Sequence, residues 1–508
     1  MPRFVFSTAD TTFAAGQDLR SLLGGKGAGL VDMHRLGLPV PPAFVISTEA
    51  FHSWLALRDL GFLKDELDRH IGVLEAQLER TLGGADRPLI VSVRSGAPVS
   101  MPGMMDTILN LGLNRKTVKG LAREWTPEAA DQAYARLRHS YEAIVGAKLP
   151  EDPRAQLLGA IAAVFASWDS ERARTYRARG GISHKLGTAA TVQAMVFGTA
   201  PGFSGTGVMF TRHPSTGAAE VMGDWLADAQ GEDVVAGTHQ TEPLEALAQA
   251  SPVLWQELVD IAARLELHQR DMCDIEFTIE SGKLWVLQYR RGKRSPQSAV
   301  RIAVEMAQDA RFAISPREAV ERVLPDDLAA LLAERRADTG SAPVATGLGA
   351  SPGVASGKAC FSVDSALDKA DAGEPVILVR PETSPDDIPG MDVAEGILTS
   401  TGGLVSHAAI VAREWRKPAV VGTSALVFDG DVVTVGGEVI REGDEITIDG
   451  ATGHVYLGSV AGASAEADSH VCRLIEWARE IAGTEGEDPV ETLRMAHARI
   501  AAEKGEHA

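Results

Sequence analysis

The stretch Thr401-Gly402-Gly403-Leu404-Val405-Ser406-His407-Ala408-Ala409-Ile410-Val411-Ala412-Arg413 constrains this chain more than any other. A β-rich run at 396–400 ends on two glycines, and a helix-prone segment opens at His407. The pattern predicts a strand, a tight turn and a helix with an imidazole in its first turn. Such a ring sits among free backbone N–H donors at the positive end of the helix dipole. That field disfavours imidazolium, so the ring stays neutral and nucleophilic. It also favours a phosphoryl group carried on the ring. Taken alone the motif also fits an ordinary capped helix with a polar surface histidine, so its meaning depends on the rest of the chain.

With 508 residues the chain is long enough for two to four domains. Its 45% hydrophobic and 23% charged content is that of a globular protein. A net charge of −20 argues against non-specific binding to nucleic acid or to an anionic membrane. It leaves room for a local basic pocket. Cys273, Cys360 and Cys472 are far apart and lack metal-type spacing, so they are expected to be small buried hydrophobes. No apolar run is long enough to span a bilayer and the start of the chain lacks a signal pattern. The expected location is the cytoplasm.

Three blocks follow from composition and periodicity. The first, 1–335, mixes helices and strands and carries a helical insert at about 112–186, with long helical runs at 129–145 and 154–177. A Gly-, Ser- and Pro-containing linker is expected at 336–347. The second block, 348–462, is strand-rich, with candidate strands at 358–363, 375–380, 396–400, 419–422, 445–448 and 454–457. A tail at 463–508 reads as two amphipathic helices, 471–482 and 490–504. The tail is too short for a core of its own and is expected to pack on the second block or pair with another chain.

Several segments of the first block suit phosphate chemistry. Leu23-Gly24-Gly25-Lys26-Gly27-Ala28-Gly29-Leu30 is predicted to be a glycine loop opening a helix at 30–36. Glycines let backbone N–H groups approach phosphate oxygens, and Lys26 adds a point charge. The spacing is not that of a Walker loop, and a flexible turn before a helix would look the same. Val91-Ser92-Val93-Arg94 reads as a strand ending on an arginine, able either to fork onto phosphate or to form a salt bridge. The Met101-Pro102-Gly103-Met104-Met105 run places soft apolar side chains on a loop, which suggests a loop closing over a ligand. A β-hairpin is predicted from 274–279 and 284–290 around a turn at 281–283. Asp274 shares a strand face with Glu276, and Gln288 with Arg290. Glu276 and Gln288 are oxygen ligands suited to Mg²⁺ bridging nucleotide phosphates, with Arg290 placed to stabilise the transferred charge. A solvated outer hairpin face would show the same alternation.

These stretches, in this order, resemble the N-terminal part of pyruvate phosphate dikinase. The likeness covers 22–30 with Leu36-Gly37-Leu38-Pro39-Val40-Pro41-Pro42, then 92–111, 187–198 and 204–217. It continues through Ala229-Gln230-Gly231-Glu232-Asp233-Val234-Val235-Ala236-Gly237, 274–294, 349–353 and 402–413. The resemblance implies a multidomain α+β and α/β chain: an ATP-grasp nucleotide-binding domain, a swivelling β/β/α phosphohistidine domain and a short helical tail. It implies cleavage of ATP to AMP through pyrophosphoryl- and phosphoryl-histidine. Carried over, Lys26 and Arg94 bind nucleotide phosphates, Glu276 and Gln288 hold Mg²⁺ and nucleotide, Arg290 contacts the phosphate region and His407 carries the phosphoryl group.

The chain departs from the family pattern in three places. The likeness stops where the family begins a (β/α)₈ barrel that binds pyruvate or phosphoenolpyruvate, so the acceptor site is expected on a separate or missing module. The family's arginine before the Ala-Tyr pair is replaced by Asp131-Gln132 ahead of Ala133-Tyr134, with Arg136 and Arg138 nearby, which weakens the case for inorganic phosphate as a substrate. The family's threonine two places before the histidine is Val405, so phosphorylation of that residue cannot control this chain, and Ser406 is left as a helix cap. The expected mechanism is in-line attack by His407 on the β-phosphorus, with the arginines and Mg²⁺ neutralising the equatorial oxygens. A hinge in the linker would carry the histidine between sites. Two other readings stand beside it: a phosphotransferase for another small acceptor or partner protein, and a non-catalytic ATP-binding relative. The joint presence of Lys26, Arg94, Glu276, Gln288, Arg290 and His407 weighs against the last.

Overall fold

The computed structural model describes residues 3–505 except 11–12, 14–15, 100, 102–103, 236–240, 334, 338–341, 430–431, 461, 465–468, 485 and 487. The chain forms two compact units. One contains Met1–Thr206, Ala227–Gln230 and Glu276–Arg290; the other contains Gly207–Leu226, Gly231–Ile275 and Arg291–Ala508.

In the first unit, an antiparallel sheet runs in the order Val5–Ser7, Ala43–Ile46, Ala189–Ala194, Val91–Gly96, Thr107–Leu111. Strand residues of both faces are buried, as expected of a sheet covered by helices. Leu23 and Val31 of the helix Leu19–Arg35 pack with Val45 and Ala189 of the sheet. This helix differs from the predicted one. It does not open after the glycines but begins at Leu19, capped by Asp18, which accepts from Arg20 N and Ser21 N. Gly24 alone leaves the helical conformation, at φ 68°. A Cβ there would lie 1.7 Å from the Gly96 carbonyl oxygen, so only glycine permits this contact between the helix and the Arg94 strand. Lys26 therefore stands in the first turn after a break inside a helix.

The insert contains the helices Thr117–Glu124, Pro127–Val145, Pro153–Ser167 and Glu171–Arg179. The single helical run predicted at 154–177 is two helices. Ser170 starts the second by accepting from Ala173 N, and this cap replaces continuation of the first. The predicted hairpin is present as Cys273–Glu280 and Lys283–Arg291, neighbours in their sheet, with Ser281-Gly282 at the turn.

The second unit holds an eight-stranded mixed sheet. Its order is Ala345–Thr346, His454–Leu457, Glu445–Asp449, Val354–Cys360, Val376–Arg380, Gly396–Thr399, Ala419–Val421, Leu348–Ser351. The run from Val354–Cys360 to Ala419–Val421 is parallel and the other pairings are antiparallel. Alternation along Val376–Arg380 sends Ile377 and Val379 into one core and Val376 and Leu378 into the other. The strand predicted at 358–363 is Val354–Cys360, because Ser362 caps a helix that begins at Val363. The short strands Ala345–Thr346 and Leu348–Ser351, and the three-stranded sheet of Val427–Asp429, Val432–Val435 and Glu438–Arg441, had no counterpart among the predicted strands.

Within the segment 336–347, residues 338–341 lie outside the described residues. Arg335–Ala337 pairs with Gly462–Ser464 rather than running as irregular chain. Among the described residues, the main contacts of the tail helices Ser469–Ala482 and Pro489–Gly505 are not with the strand-rich block, although Val405 shares their core. The helices lie against Pro296–Gln308, Pro316–Arg322 and Pro325–Ala333. Val471, Leu474, Ile475, Leu493, Ala496 and Ile500 share one core with Val300, Ile302 and Val320. Cys273 and Cys360 are buried as expected; Cys472 is exposed, because it falls on the outward side of its helix.

Among the described residues, no helix is long and apolar enough to cross a membrane.

Candidate functional site

Two clusters of the residues singled out from the sequence form, one in each unit. In the first unit Arg94 reaches to the hairpin from inside the strand Val91–Gly96, which continues two residues past the arginine at which it was predicted to end, because Ser95 and Gly96 still pair with Ala190 and Ala189. Its Nη2 donates to Glu276 Oε2 and to Gln288 Oε1, each at 3.2 Å. Gln288 Nε2 donates to Glu276 Oε1, which closes a three-membered network. The network is largely sheltered from solvent, so the hairpin face is not the solvated surface that its charge alternation also allowed.

Electrostatics fix the ionisation states. Burial alone would raise the Glu276 carboxyl, but Arg94, Arg290 and Lys26 together hold it below the usual carboxylate range. Lys26 shows the opposite balance. Burial, then Arg94 and Arg290, push its ammonium down to about 7, against the pull of Glu276. Three cations therefore converge on one carboxylate. The cluster carries an excess of positive charge that a polyanion would relieve.

Glu276 stays ionised and Gln288 presents an amide oxygen. These are two hard oxygen donors, the set that Mg²⁺ accepts when phosphates and waters complete its shell. No group of three or more His, Cys, Asp and Glu among the described residues is placed to hold a metal unaided. A cleft of about 100 Å³ lies in the same unit, where Trp125, Phe197 and Trp285 form aromatic walls and Arg80, Glu124 and Glu280 add charge. Glu280 lies on the strand of Glu276, on the same face further along.

The second cluster surrounds His407, the first residue of the helix His407–Trp415. Ser406 caps that helix, its hydroxyl accepting from Ala409 N at 3.5 Å. The His407 ring is half-buried, with Nδ1 3.0 Å from Thr383 Oγ1. Nε2 is shielded from solvent and has no hydrogen-bond partner among the described residues. Desolvation lowers the imidazole to about 4, with Asp387 acting in the opposite sense. The ring is neutral, as the motif implied, with burial the leading cause. When Nδ1–H donates to Thr383 Oγ1, the lone pair of Nε2 is left free.

Thr383 and its support were not among the residues picked from the sequence. The loop that carries it is braced by a capping box. Ser384 N donates to Asp387 Oδ2 at 2.8 Å, while the Ser384 hydroxyl accepts from Asp386 N at 3.3 Å. Arg380 Nε lies 3.1 Å from Asp387 Oδ1. The Ser-x-x-Asp spacing of 384–387 was a readable signal of that turn, though not of its neighbour.

Asp224 is a second residue the motif search passed over. It is buried, raised by desolvation to about 6, and its Oδ2 accepts from Val405 N at 3.3 Å. A Cβ at Gly403 would fall 2.2 Å from that oxygen, which explains the second glycine of the motif. Arg413 closes the helix onto its own loop, Nη2 donating to Leu404 O at 2.7 Å and Nη1 to Ala350 O at 3.1 Å.

Arg136 and Arg138, weighed for inorganic phosphate, are exposed on the helix Pro127–Val145. Ala236 and Gly237 of the Gln230–Gly237 motif lie outside the described residues.

Comparison with known proteins adds two matches to this geometry. The family model described as "Pyruvate phosphate dikinase, AMP/ATP-binding domain" matches residues 61–254 and 249–311. That described as "PEP-utilising enzyme, mobile domain" matches 372–453, which includes His407. A curated chloroplastic pyruvate, phosphate dikinase of Flaveria trinervia is 41% identical over 511 residues, covering 89% of this chain and 53% of the relative. The pyruvate, phosphate dikinase of Rhizobium meliloti (strain 1021) is 41% identical over 541 residues, covering 92% and 60%. Pyruvate, phosphate dikinase 2 of Oryza sativa subsp. japonica is 40% identical, covering 91% and 58%. The chain thus spans little more than half the length of these relatives.

Proposed function

Since the chain belongs to the pyruvate phosphate dikinase family through its AMP/ATP-binding and mobile-domain regions, we propose that it is an ATP-dependent phosphotransferase working through a phosphohistidine on His407. The observation that carries the reading is a neutral imidazole whose Nε2 is sheltered and unpartnered while Nδ1 is already engaged. In this reading residues 1–335 form an ATP-grasp domain with a helical insert at 112–186, 336–347 link it to a swivelling β/β/α domain at 348–462, and 463–508 form the tail.

The nucleotide's phosphates meet Lys26, Arg94 and Arg290, three cations held around one carboxylate. As the phosphates enter, the Lys26 amine takes up a proton, because their charge offsets the burial that had lowered it. Glu276 and Gln288 hold Mg²⁺, which when bound supplies Lewis-acid neutralisation of phosphate charge. The base extends along the hairpin face toward the aromatic cleft, where the buried Trp285 indole N–H has no acceptor.

His407 Nε2 donates its lone pair to the β-phosphorus as the bridging P–O bond to the α-phosphate breaks, and AMP leaves. Nδ1 keeps its proton against Thr383 throughout, so the ring needs no separate base. Inorganic phosphate then removes the outer phosphoryl group as pyrophosphate. The remaining phosphoryl group passes to pyruvate on a separate module, with the linker as the hinge. Another small acceptor is the alternative, and it is favoured if phospho-protein reacts with a different ketoacid or alcohol and not with pyruvate.

ATP labelled at the β-phosphate tests the reading. Acid-labile, alkali-stable label is expected on the wild type and none on His407→Ala. AMP accumulating while every imidazole stays unmodified overturns the proposal, as does label retained by His407→Ala.

A further inference from the structure

The methionine run at 101–105 is a motif of the sequence that the mechanism leaves unused. Its segment starts at the end of the Arg94 strand and runs first along the glycine turn, where Gly25 N donates to Ala97 O at 2.9 Å. Met101 and Met104 are buried, Met104 completely. The far end is gripped by one side chain of the insert helix Glu171–Arg179. Arg172 Nε donates to Met104 O at 3.2 Å, and Arg172 Nη2 donates to and pairs with Asp106 Oδ1. Asp106 N in turn donates to Ser167 Oγ at 3.3 Å, and that hydroxyl donates to Val164 O at 2.7 Å.

The register gives this anchor its meaning. Asp106 directly precedes Thr107, and Thr107 is the cross-strand partner of Arg94. Methionine side chains are pliable and specify position poorly, so the backbone of such a segment must be placed by other contacts. A guanidinium that spans a carbonyl and a carboxylate at once fixes direction as well as distance, which an ammonium cannot do. One end of the segment therefore rests on the turn that bears Lys26, and the other is tied to the insert one residue from the neighbour of Arg94.

We propose that Arg172 is a positioning residue for the nucleotide site, setting the Met104–Asp106 backbone and through it the strand pair that aims Arg94. This inference rests on the reading that Lys26 and Arg94 bind nucleotide phosphates. Arg172 itself touches neither of them.

The test uses the full chain as wild type, Arg172→Ala and Arg172→Lys. Three quantities are measured: binding of a non-hydrolysable Mg·ATP analogue by calorimetry, the ATP dependence of His407 labelling, and the unfolding midpoint. Arg172→Ala should raise both the dissociation constant and half-saturating ATP about tenfold, with a maximal labelling rate within about threefold of wild type. Arg172→Lys should recover part of the affinity, since it restores charge and one contact but not the fork. Unchanged affinity in Arg172→Ala overturns the inference while leaving the proposed function standing. A loss of affinity that only follows a fall in unfolding midpoint, with no recovery in Arg172→Lys, shows a merely structural role and overturns it too. Failure of the wild type to bind the analogue overturns both. Analogue binding that responds to Arg172 without any label on His407 upholds the inference and rejects the phosphohistidine.

Discussion

The cluster around Glu276 and the cluster around His407 solve opposite electrostatic problems. Around Glu276, three cations are drawn together, one of them at the expense of its own charge. Around His407, burial outweighs the charge of Asp387, and a half-buried ring beside the Thr383 hydroxyl stays neutral, lowered to about 4. The first arrangement is poised to receive negative charge, the second to supply a lone pair. The contrast also shows that burial has no fixed functional sign. It lowers both Lys26 and His407, yet it leaves one as a reserve acceptor of a proton and the other as a permanent nucleophile.

The largest effect expected from breaking this contrast comes from Glu276→Gln. The substitution keeps shape but removes the Glu276 charge that supports Lys26, and it takes away the charged ligand proposed for Mg²⁺. Mg-dependent labelling of His407 should fall by about 10²-fold, with the far-UV spectrum and the unfolding midpoint little changed. Unchanged turnover would show that Glu276 is no ligand.

A smaller change is expected from Thr383→Val, which acts on the histidine side alone. Losing the partner of Nδ1 frees the tautomer, so the labelling rate should fall about tenfold, the equivalent of one hydrogen bond. ATP affinity should not move. Nitrogen chemical shifts of the ring would report the tautomer directly, and a change confined to ATP affinity would mean that the two clusters are not independent.

The smallest effect is a proton count. Lys26 sits near 7 in the free protein, so above that pH it is mostly uncharged, and phosphate binding should raise it. Calorimetry at pH 8 in buffers of different ionisation enthalpy should show uptake of about one proton per ATP, falling toward zero as the pH drops below 7 and the amine is already charged. Lys26→Met should abolish the uptake.

Much of the local framework was readable from residue order. Ser406 as cap, His407 as the first helical residue and the hairpin bearing Glu276 and Gln288 all follow from turn chemistry and period-two alternation. These features depend on neighbours within one turn or one strand pair, so the chain states them locally. The glycine segment pointed to Lys26 but gave it the wrong setting, because its helix begins at Leu19 and is interrupted at Gly24, beside Gly96, rather than opened by the glycines.

The relations that give those residues their chemistry came only with tertiary structure. Thr383 meets His407 across a sequence separation of 24, Asp224 meets Val405 across 181 and Arg94 meets Glu276 across 182. No periodicity encodes such pairings. The neutral state of His407 also traces to desolvation by surrounding chain. Hydrogen-bonded caps and alternation are short-range and survive in the linear order of residues. Burial and convergent charge depend on which distant segments share a volume, and that is settled only when the cores are packed.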